Sequence, residues 1–283
     1  LSRRRVPEAA QSRRSLQMRM LALLRKELAD ERQNLALFVP TLIVGFVAVL
    51  LPLLVAVIIP YVAGERLSDS SDFEVAVEMY RNQPSTRGLD PEAAVQAYLF
   101  QFFAVMLVLI PVTAAMSIAA HSVVGEKQAR SLEPLLVTPI TTFELLGAKV
   151  LGAFVPSIIL TAVYFAIYVL AAALFAHPGV AWVLFGPRTA GTVFILGPLA
   201  ALAALQMAVC VSSRVNDART AQQIGVLVIL PIAGLLIGQL AGALQLTVTL
   251  IAWIALGLLV INVGLMRVAI TLFDRETILT RWK

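Results

Sequence analysis

Charged residues and cysteine are both scarce in this sequence. Asp, Glu, Lys and Arg make up 14% of the 283 residues, well below the usual quarter. Hydrophobic residues make up 59% of the chain, and the mean hydropathy is +0.87. The single cysteine, Cys210, excludes an intramolecular disulfide. No soluble core needs this much apolar sequence, so the composition indicates an integral membrane protein.

Motifs for catalysis and for nucleotide binding are also absent from the sequence. It has no Gly-x-x-x-x-Gly-Lys-Ser/Thr phosphate loop and no His-Glu-x-x-His zinc motif. The two histidines, His121 and His177, fall at opposite membrane faces, and one cysteine is too few for a metal cluster or a Cys/His pair. We therefore predict a non-catalytic chain that holds no cofactor and no metal of its own.

Long stretches without charge set the number of membrane spans, because about 20 apolar residues cross the hydrocarbon core as a helix. The stretch between Arg219 and Arg267 holds 47 uncharged residues. One helix of that length would reach about 70 Å, so the chain must fold back once, near Gly242. The pattern predicts an all-α polytopic membrane protein with six transmembrane helices, at 37–60, 97–120, 149–175, 190–212, 222–243 and 248–269.

Lys and Arg are distributed unequally between the segments that join these spans. The segments on the side of the two termini hold 18 of the 22 basic residues, and the opposite loops, 61–96 and 176–189, hold 4. The positive-inside rule therefore places both termini in the cytoplasm and the 61–96 loop outside. We predict that the chain lies in the inner (cytoplasmic) membrane. We expect the basic N-terminus to contact membrane lipids, and the pattern does not indicate nucleic-acid binding.

An amphipathic segment, 16–35, lies in the cytoplasmic region 1–36 that precedes the transmembrane domain at 37–270. Its apolar residues recur near helical spacing, at Leu16, Met20, Leu23, Leu24, Leu28 and Leu35. Such a helix can lie in the headgroup layer as an elbow before the first span. The alternative is a cytoplasmic helix packed on a partner protein. A short cytoplasmic tail, 271–283, follows the last span.

The cytoplasmic loop at 121–148 carries the most informative pattern. Charges of both signs recur at helical spacing between Glu126 and Glu133, an apolar patch overlaps them at 132–137, and Pro139 ends any helix. A short helix with one charged and one apolar face suits docking into a groove of a soluble partner. An ordinary connector is the alternative interpretation.

This loop also matches a known signature, made of a Gly-Glu, a Gly/Ser-x-Leu-Glu-x-Leu-Leu and a Thr-Pro after the second span. The matching residues are Gly125, Glu126, Ser131, Leu132, Glu133, Leu135, Leu136, Thr138 and Pro139. With them the chain resembles the ABC-2 type permeases, the membrane subunits of one large class of ABC exporters. The order of elbow, six spans and external loop is similar over nearly the whole chain. Within the family it looks closest to bacterial sodium-exporter-like and nitrous-oxide-reductase-maturation-like permeases.

The resemblance implies that the chain forms half of a translocation pathway. A second permease, expected to be identical, pairs with it, and two separate ABC ATPase subunits, which hold ATP and magnesium, bind the cytoplasmic loops. An accessory protein is a further candidate partner. The implied function is export driven by the ATPases. The coupling residues are then Glu126, Arg130, Leu132, Glu133, Leu135 and Leu136.

Charged residues are missing from the centres of all six predicted spans. Each would cost about 2.5–3.5 kcal/mol on insertion scales, and proton or ion relays normally retain some. Their absence argues against an ion-coupled transporter. Hydrogen bonds between helices are the common role of uncharged polar residues in spans. The candidates for lining a pathway are Gln101, Thr113, Gln206, Gln239 and Asn262.

Glycines and prolines occur within the predicted spans. Gly234, Gly238 and Gly242 lie four residues apart in the fifth predicted span. Small residues at that spacing let helices approach closely, within the chain or, in a sharper hypothesis, at a dimer interface with the second permease. Each proline within a span removes a backbone hydrogen bond and can kink its helix. These prolines are Pro52, Pro111, Pro156, Pro198 and Pro231.

Two other classes of function stay open at this point. One is an ATP-independent secondary transporter or channel, and the other is an intramembrane enzyme or lipid-handling protein. Co-purification of a soluble ATPase would favour the permease, whereas activity set by an ion gradient alone would favour the secondary transporter.

Overall fold

The structure is a computed structural model, and it describes residues 35–69, 88–128, 142–212, 227, 229–240 and 244–272. Every regular element in these ranges is helical, and the ranges contain no strand. The expected all-α, polytopic membrane protein is therefore confirmed. The elbow predicted at 16–35 lies outside the described residues except for its last position.

Six helices form the described part of the chain. They are α1 (Val39–Ala63), α2 (Pro91–Phe103, Ala104–Val108 and Leu109–Gln128), α3 (Thr142–Phe175), α4 (Pro187–Gly191, Thr192–Leu196 and Gly197–Ser212), α5 (Ile229–Leu240) and α6 (Val248–Leu272). A 3-10 turn at Leu67–Asp69 follows α1, and a single helical turn at Val180–Val183 lies between α3 and α4.

Five of these helices, all except α5, are long and apolar enough to cross a membrane, and they coincide with five of the predicted spans. Helix α5 has 12 described residues. It is about 18 Å long, less than the hydrocarbon thickness of about 30 Å. The neighbouring segments, 213–226 and 241–243, lie outside the described residues, so the full span at 222–243 stays a prediction.

Helix α2 begins at Pro91, within the segment 61–96 that was expected to form the external loop. Asp90 has an extended backbone (φ −59°, ψ 147°), and Pro91 is the first helical residue, which is the usual arrangement at a helix start. The predicted span was placed after Glu92, because burying a carboxylate without a hydrogen-bond partner is costly. Here Glu92 is buried and hydrogen-bonded, so the helix continues past it.

Helices α2 and α4 form the centre of the molecule, and α1, α3 and α6 surround them. The apolar stretch of α2 is 78% buried and that of α4 is 61% buried, whereas that of α6 is only 11% buried. Alanines such as Ala115, Ala204 and Ala208 are fully buried on these two central helices. Small side chains let the two backbones approach closely, which explains why the central pair packs so extensively.

The helices depart from α geometry at the turn before a proline. π-Helical turns at Leu54–Ile58 and Thr192–Leu196 precede Pro60 and Pro198. A 3-10 turn at 104–108 precedes Pro111. Proline removes the backbone donor and its ring crowds the carbonyl four residues earlier, so the preceding turn widens or tightens. The local deformation suggested by the sequence is therefore present before Pro111 and Pro198, and also before Pro60, which the sequence analysis did not name. Pro52 and Pro156 lie within regular α-helix.

Candidate translocation and coupling sites

The predicted coupling segment joins the most buried helix to its neighbour. Helix α2 continues to Gln128 and α3 begins at Thr142, so the predicted loop 121–148 is helical at both ends. Glu126 lies on the last turn of α2. The other predicted coupling residues, Arg130, Leu132, Glu133, Leu135 and Leu136, lie outside the described residues.

The opposite end of α2 lies among the connections that leave α1 and α3. We call this region the loop end and define it as residues 64–69, 88–92 and 176–187. Glu92 is 8% exposed, and its two carboxylate oxygens accept hydrogen bonds from the backbone amides of Leu67 (3.3 Å) and Ser68 (3.0 Å). Helix α1 ends just before, where Gly64 adopts a left-handed conformation (φ 70°). One side chain of α2 therefore fastens the chain that leaves α1.

The connection between α3 and α4 is fastened to the same helix. The side-chain oxygen of Gln96 accepts a hydrogen bond from the backbone amide of His177 (2.8 Å). The amide nitrogen of Gln101 donates to the carbonyl of Val183 (3.2 Å). Both glutamines are at least nine-tenths buried. The predicted pathway residue Gln101 thus holds a loop in place within the chain.

Sequence reasoning did not single out Glu92 and Gln96. Four residues separate them, so they lie on one face of α2, one turn apart. The Asp90-Pro91-Glu92 segment is a recognisable helix start, with an N-cap residue, a proline and an acid in the first turn. That signal would have extended the helix backwards and placed both side chains on it.

The C-terminal half of α2 makes hydrogen bonds to the beginning of α1 and to the turn before it. The Thr113 hydroxyl donates to the carbonyl of Leu109 (2.8 Å) and lies 3.4 Å from the Thr41 hydroxyl. The Ser117 hydroxyl donates to the carbonyl of Leu37 (3.0 Å). Thr113, a predicted pathway residue, is buried between these two helices.

Two tyrosines of α3 complete this packing. The Tyr164 hydroxyl donates to the carbonyl of Leu42 (3.1 Å), and its ring lies over Gly45 of α1, where a side chain would overlap it. The Tyr168 hydroxyl donates to the carbonyl of Phe100 (2.6 Å), and the two rings meet edge to face with centroids 5.5 Å apart. These contacts fix α1 and α2 against α3.

Gln206 of α4 and Asn262 of α6 form a buried polar pair. The Asn262 amide nitrogen donates to the carbonyls of Leu199 (3.0 Å) and Leu258 (2.8 Å), which fixes the orientation of its amide. Its oxygen therefore faces Gln206 and accepts a hydrogen bond from the Gln206 amide nitrogen (3.3 Å). The side-chain oxygen of Gln206 is then left buried without a partner in the described part of the chain.

The glycines of α5 have different surroundings. A Cβ at Gly238 would lie 2.6 Å from the side chain of Leu244, whose backbone amide also donates to the Gly238 carbonyl (2.9 Å). Gly238 thus accommodates the chain's own return toward α6. Gly234 has no atom within 4 Å of such a Cβ, and Gly242 lies outside the described residues. The neighbouring amide nitrogen of Gln239 is buried without a described partner.

Comparison with known families decides what kind of membrane protein this is. A family model described as ABC-2 family transporter protein matches residues 81–271, which include α2 to α6 and the segment that carries the predicted signature. The chain belongs to the ABC-2 family. It is a membrane permease of an ABC transporter, and this family of non-catalytic membrane subunits works with ABC ATPase subunits. The comparison with curated proteins found no match.

Within this ABC-2 permease, the five predicted pathway residues do not converge on one site. Gln206 and Asn262 contact each other, whereas Gln101 and Thr113 hydrogen-bond to different neighbours, and Gln239 lies on α5, which packs on α2. All five are buried in the single chain. In the described residues, no group of three or more His, Cys, Asp or Glu side chains could hold a metal ion.

Proposed function

We propose that this chain is the membrane half of an ATP-driven exporter of the inner membrane. Two identical copies pair, and two ATPase subunits, which hold ATP and magnesium, bind their cytoplasmic loops. The observation that carries the proposal is the connection of the signature segment at 125–139 to both α2 and α3. Because α2 is the most buried helix, a movement of that segment is transmitted to α1, α3 and α4 together.

Both termini and the α2–α3 connection are then cytoplasmic, and the loop end is external. The unequal distribution of Lys and Arg supports this orientation. The chain carries no phosphate loop for nucleotide, so the energy for transport must arrive through contact with the ATPase. The resemblance to sodium-exporter-like and nitrous-oxide-reductase-maturation-like permeases, and a role for an accessory protein, belong to the same proposal.

A mutation in the signature segment tests the coupling. Leu135→Asp places a charge in an expected apolar contact, where burial of a leucine is worth about 1.5–3 kcal/mol. We expect the ATPase to separate from the permease during purification. Arg130→Ala and Glu133→Ala remove charges at the rim of the contact, so the complex should persist with reduced cargo-stimulated ATP hydrolysis.

The matched control for Leu135→Asp is Leu135→Met, which conserves volume and apolar character. Membrane insertion should survive all four changes, because none touches a span. Retention of the full complex and normal ATP hydrolysis by the Leu135→Asp variant would refute coupling through this segment.

A further inference from the structure

We propose that the loop end is a closed gate over the external end of α2, and that the Glu92 carboxylate is its latch. The inference rests on the proposed function and assigns a role to residues that the family signature does not include. The gate consists of the described segments 64–69 and 176–186.

The latch consists of two hydrogen bonds. Glu92 uses both carboxylate oxygens, one on each of the successive backbone amides of Leu67 (3.3 Å) and Ser68 (3.0 Å), so one side chain fixes two neighbouring residues of the segment 64–69. Glu92 is nevertheless close to the end of its helix, where a modest displacement would return the carboxylate to water. The arrangement is therefore stable when closed and can be broken by a movement of α2.

The α3–α4 connection is built as a cover. Within this connection, the side chains of Val180 and Leu184 are fully buried on its inner side, whereas Trp182 is 79% exposed on its outer side. Gly179 adopts φ 97°, and a Cβ there would lie 2.5 Å from the side chain of Leu89, so this connection also packs on the segment before α2. Lifting the cover would uncover an apolar surface that the closed state keeps from solvent.

Every described side-chain hydrogen bond that closes the two segments onto the core comes from α2. Glu92 holds one segment, and Gln96 and Gln101 hold the other. The same helix ends at Gln128, next to the proposed coupling segment. One continuous helix thus connects the site where ATP hydrolysis would act with the bonds that must break for cargo to leave.

A cysteine placed in the segment that Glu92 holds reports the release of that segment. We would introduce Leu67→Cys after Cys210→Ser and measure how fast a membrane-impermeant maleimide labels the probe from the external side. The first measurement uses the permease in vesicles without ATP, so it does not depend on any partner. Labelling should be slow when Glu92 is present, because the side chain at position 67 packs, partly buried, against the apolar core.

The variants then separate a latch from a generally loosened fold. Glu92→Ala removes both hydrogen bonds and should raise the labelling rate about tenfold or more, since two hydrogen bonds together are worth about that factor in an equilibrium. Glu92→Gln keeps one acceptor oxygen and should give a smaller increase. Glu65→Ala removes an equal charge from the exposed part of the same connection and should leave the rate unchanged.

Two results would overturn the proposal. Unchanged labelling in both Glu92 variants would mean that the carboxylate does not hold the segment 64–69 closed. The second measurement adds ATP and magnesium to the assembled transporter with Glu92 intact, and hydrolysis should accelerate labelling of the probe. If it never does, the loop end is a fixed closure and the gate is wrong, while the Leu135→Asp test still decides the coupling independently.

Discussion

Replacement of Gly45 by alanine tests the packing of α1 against α3 most directly. A Cβ at this position would overlap the ring of Tyr164, so the ring must leave its place. The displacement also breaks the hydrogen bond from the Tyr164 hydroxyl to the carbonyl of Leu42. We therefore expect Gly45→Ala to destabilise the protein even though alanine favours helix formation.

The expected magnitude follows from three contributions. Overpacking typically costs about 1–3 kcal/mol. Loss of a hydrogen bond between membrane helices costs about 0.6 kcal/mol on average. Against these, Gly→Ala in a helix contributes up to about 1 kcal/mol of stability. The net loss for Gly45→Ala should be about 0.6–2.6 kcal/mol. The lower end of that range is expected, because Tyr164 is partly exposed and can relax outward.

The assay is denaturant-induced unfolding of the purified permease in mixed micelles. Gly257→Ala in α6 is the matched control, because its Cβ would meet no atom within 4 Å, and it should be neutral or slightly stabilising. Tyr164→Leu should compensate for Gly45→Ala, giving a coupling energy of about 0.5–3 kcal/mol in the double-mutant cycle. Equal stability of the Gly45→Ala and Gly257→Ala proteins, or strict additivity with Tyr164→Leu, would refute this account of the α1–α3 contact.

Two further predictions concern the core and the orientation. Tyr168→Phe should cost about 0.6–1.7 kcal/mol, since the Phe100 carbonyl keeps its bond to the helix backbone, whereas Tyr168→Ala should cost about 3–5 kcal/mol by opening a cavity; equal unfolding free energies for the two variants would contradict this. After Cys210→Ser, a cysteine at Ser85 should react with an impermeant thiol reagent added to intact cells, and one at Ser131 should react only after the membrane is opened. The reverse pattern would invert the proposed orientation.

The roles of the polar residues within the membrane depend on their hydrogen-bond partners, which the sequence does not show. Sequence reasoning could select Gln206 and Asn262 because amides are rare in apolar helices, and it favoured interhelical hydrogen bonds for such residues. It could not pair them, because 56 residues separate them in the chain. Gln101 was equally visible, but its partner is a backbone carbonyl, and every residue carries one. For that reason no sequence pattern indicates the bond.

The role of each glycine depends on which side chain lies closest to it in the fold. The four-residue spacing of Gly234 and Gly238 suggested one shared face of α5. In the structure, the side chain of Leu244 from the same chain occupies the space beside Gly238, whereas no atom lies within 4 Å of a Cβ placed at Gly234. Gly45 has the closest contact with another helix among the described glycines, because a Cβ there would overlap the Tyr164 ring, and it belongs to no glycine repeat. A lone glycine in an apolar span has no sequence signal, since its importance depends on which side chain lies opposite.

The sequence by itself determined the class of protein, five of the membrane spans and the family. These depend on long-range averages of hydropathy and on a contiguous motif, both of which survive without knowledge of contacts. The tertiary structure alone decided that α2 and α4 form the centre, that Tyr164 covers Gly45, and that Glu92 is buried on two backbone amides. The reason is physical: lipid rewards apolar surface wherever it lies along the chain, but close packing and hydrogen bonding act only between atoms that the fold brings within a few ångströms of each other.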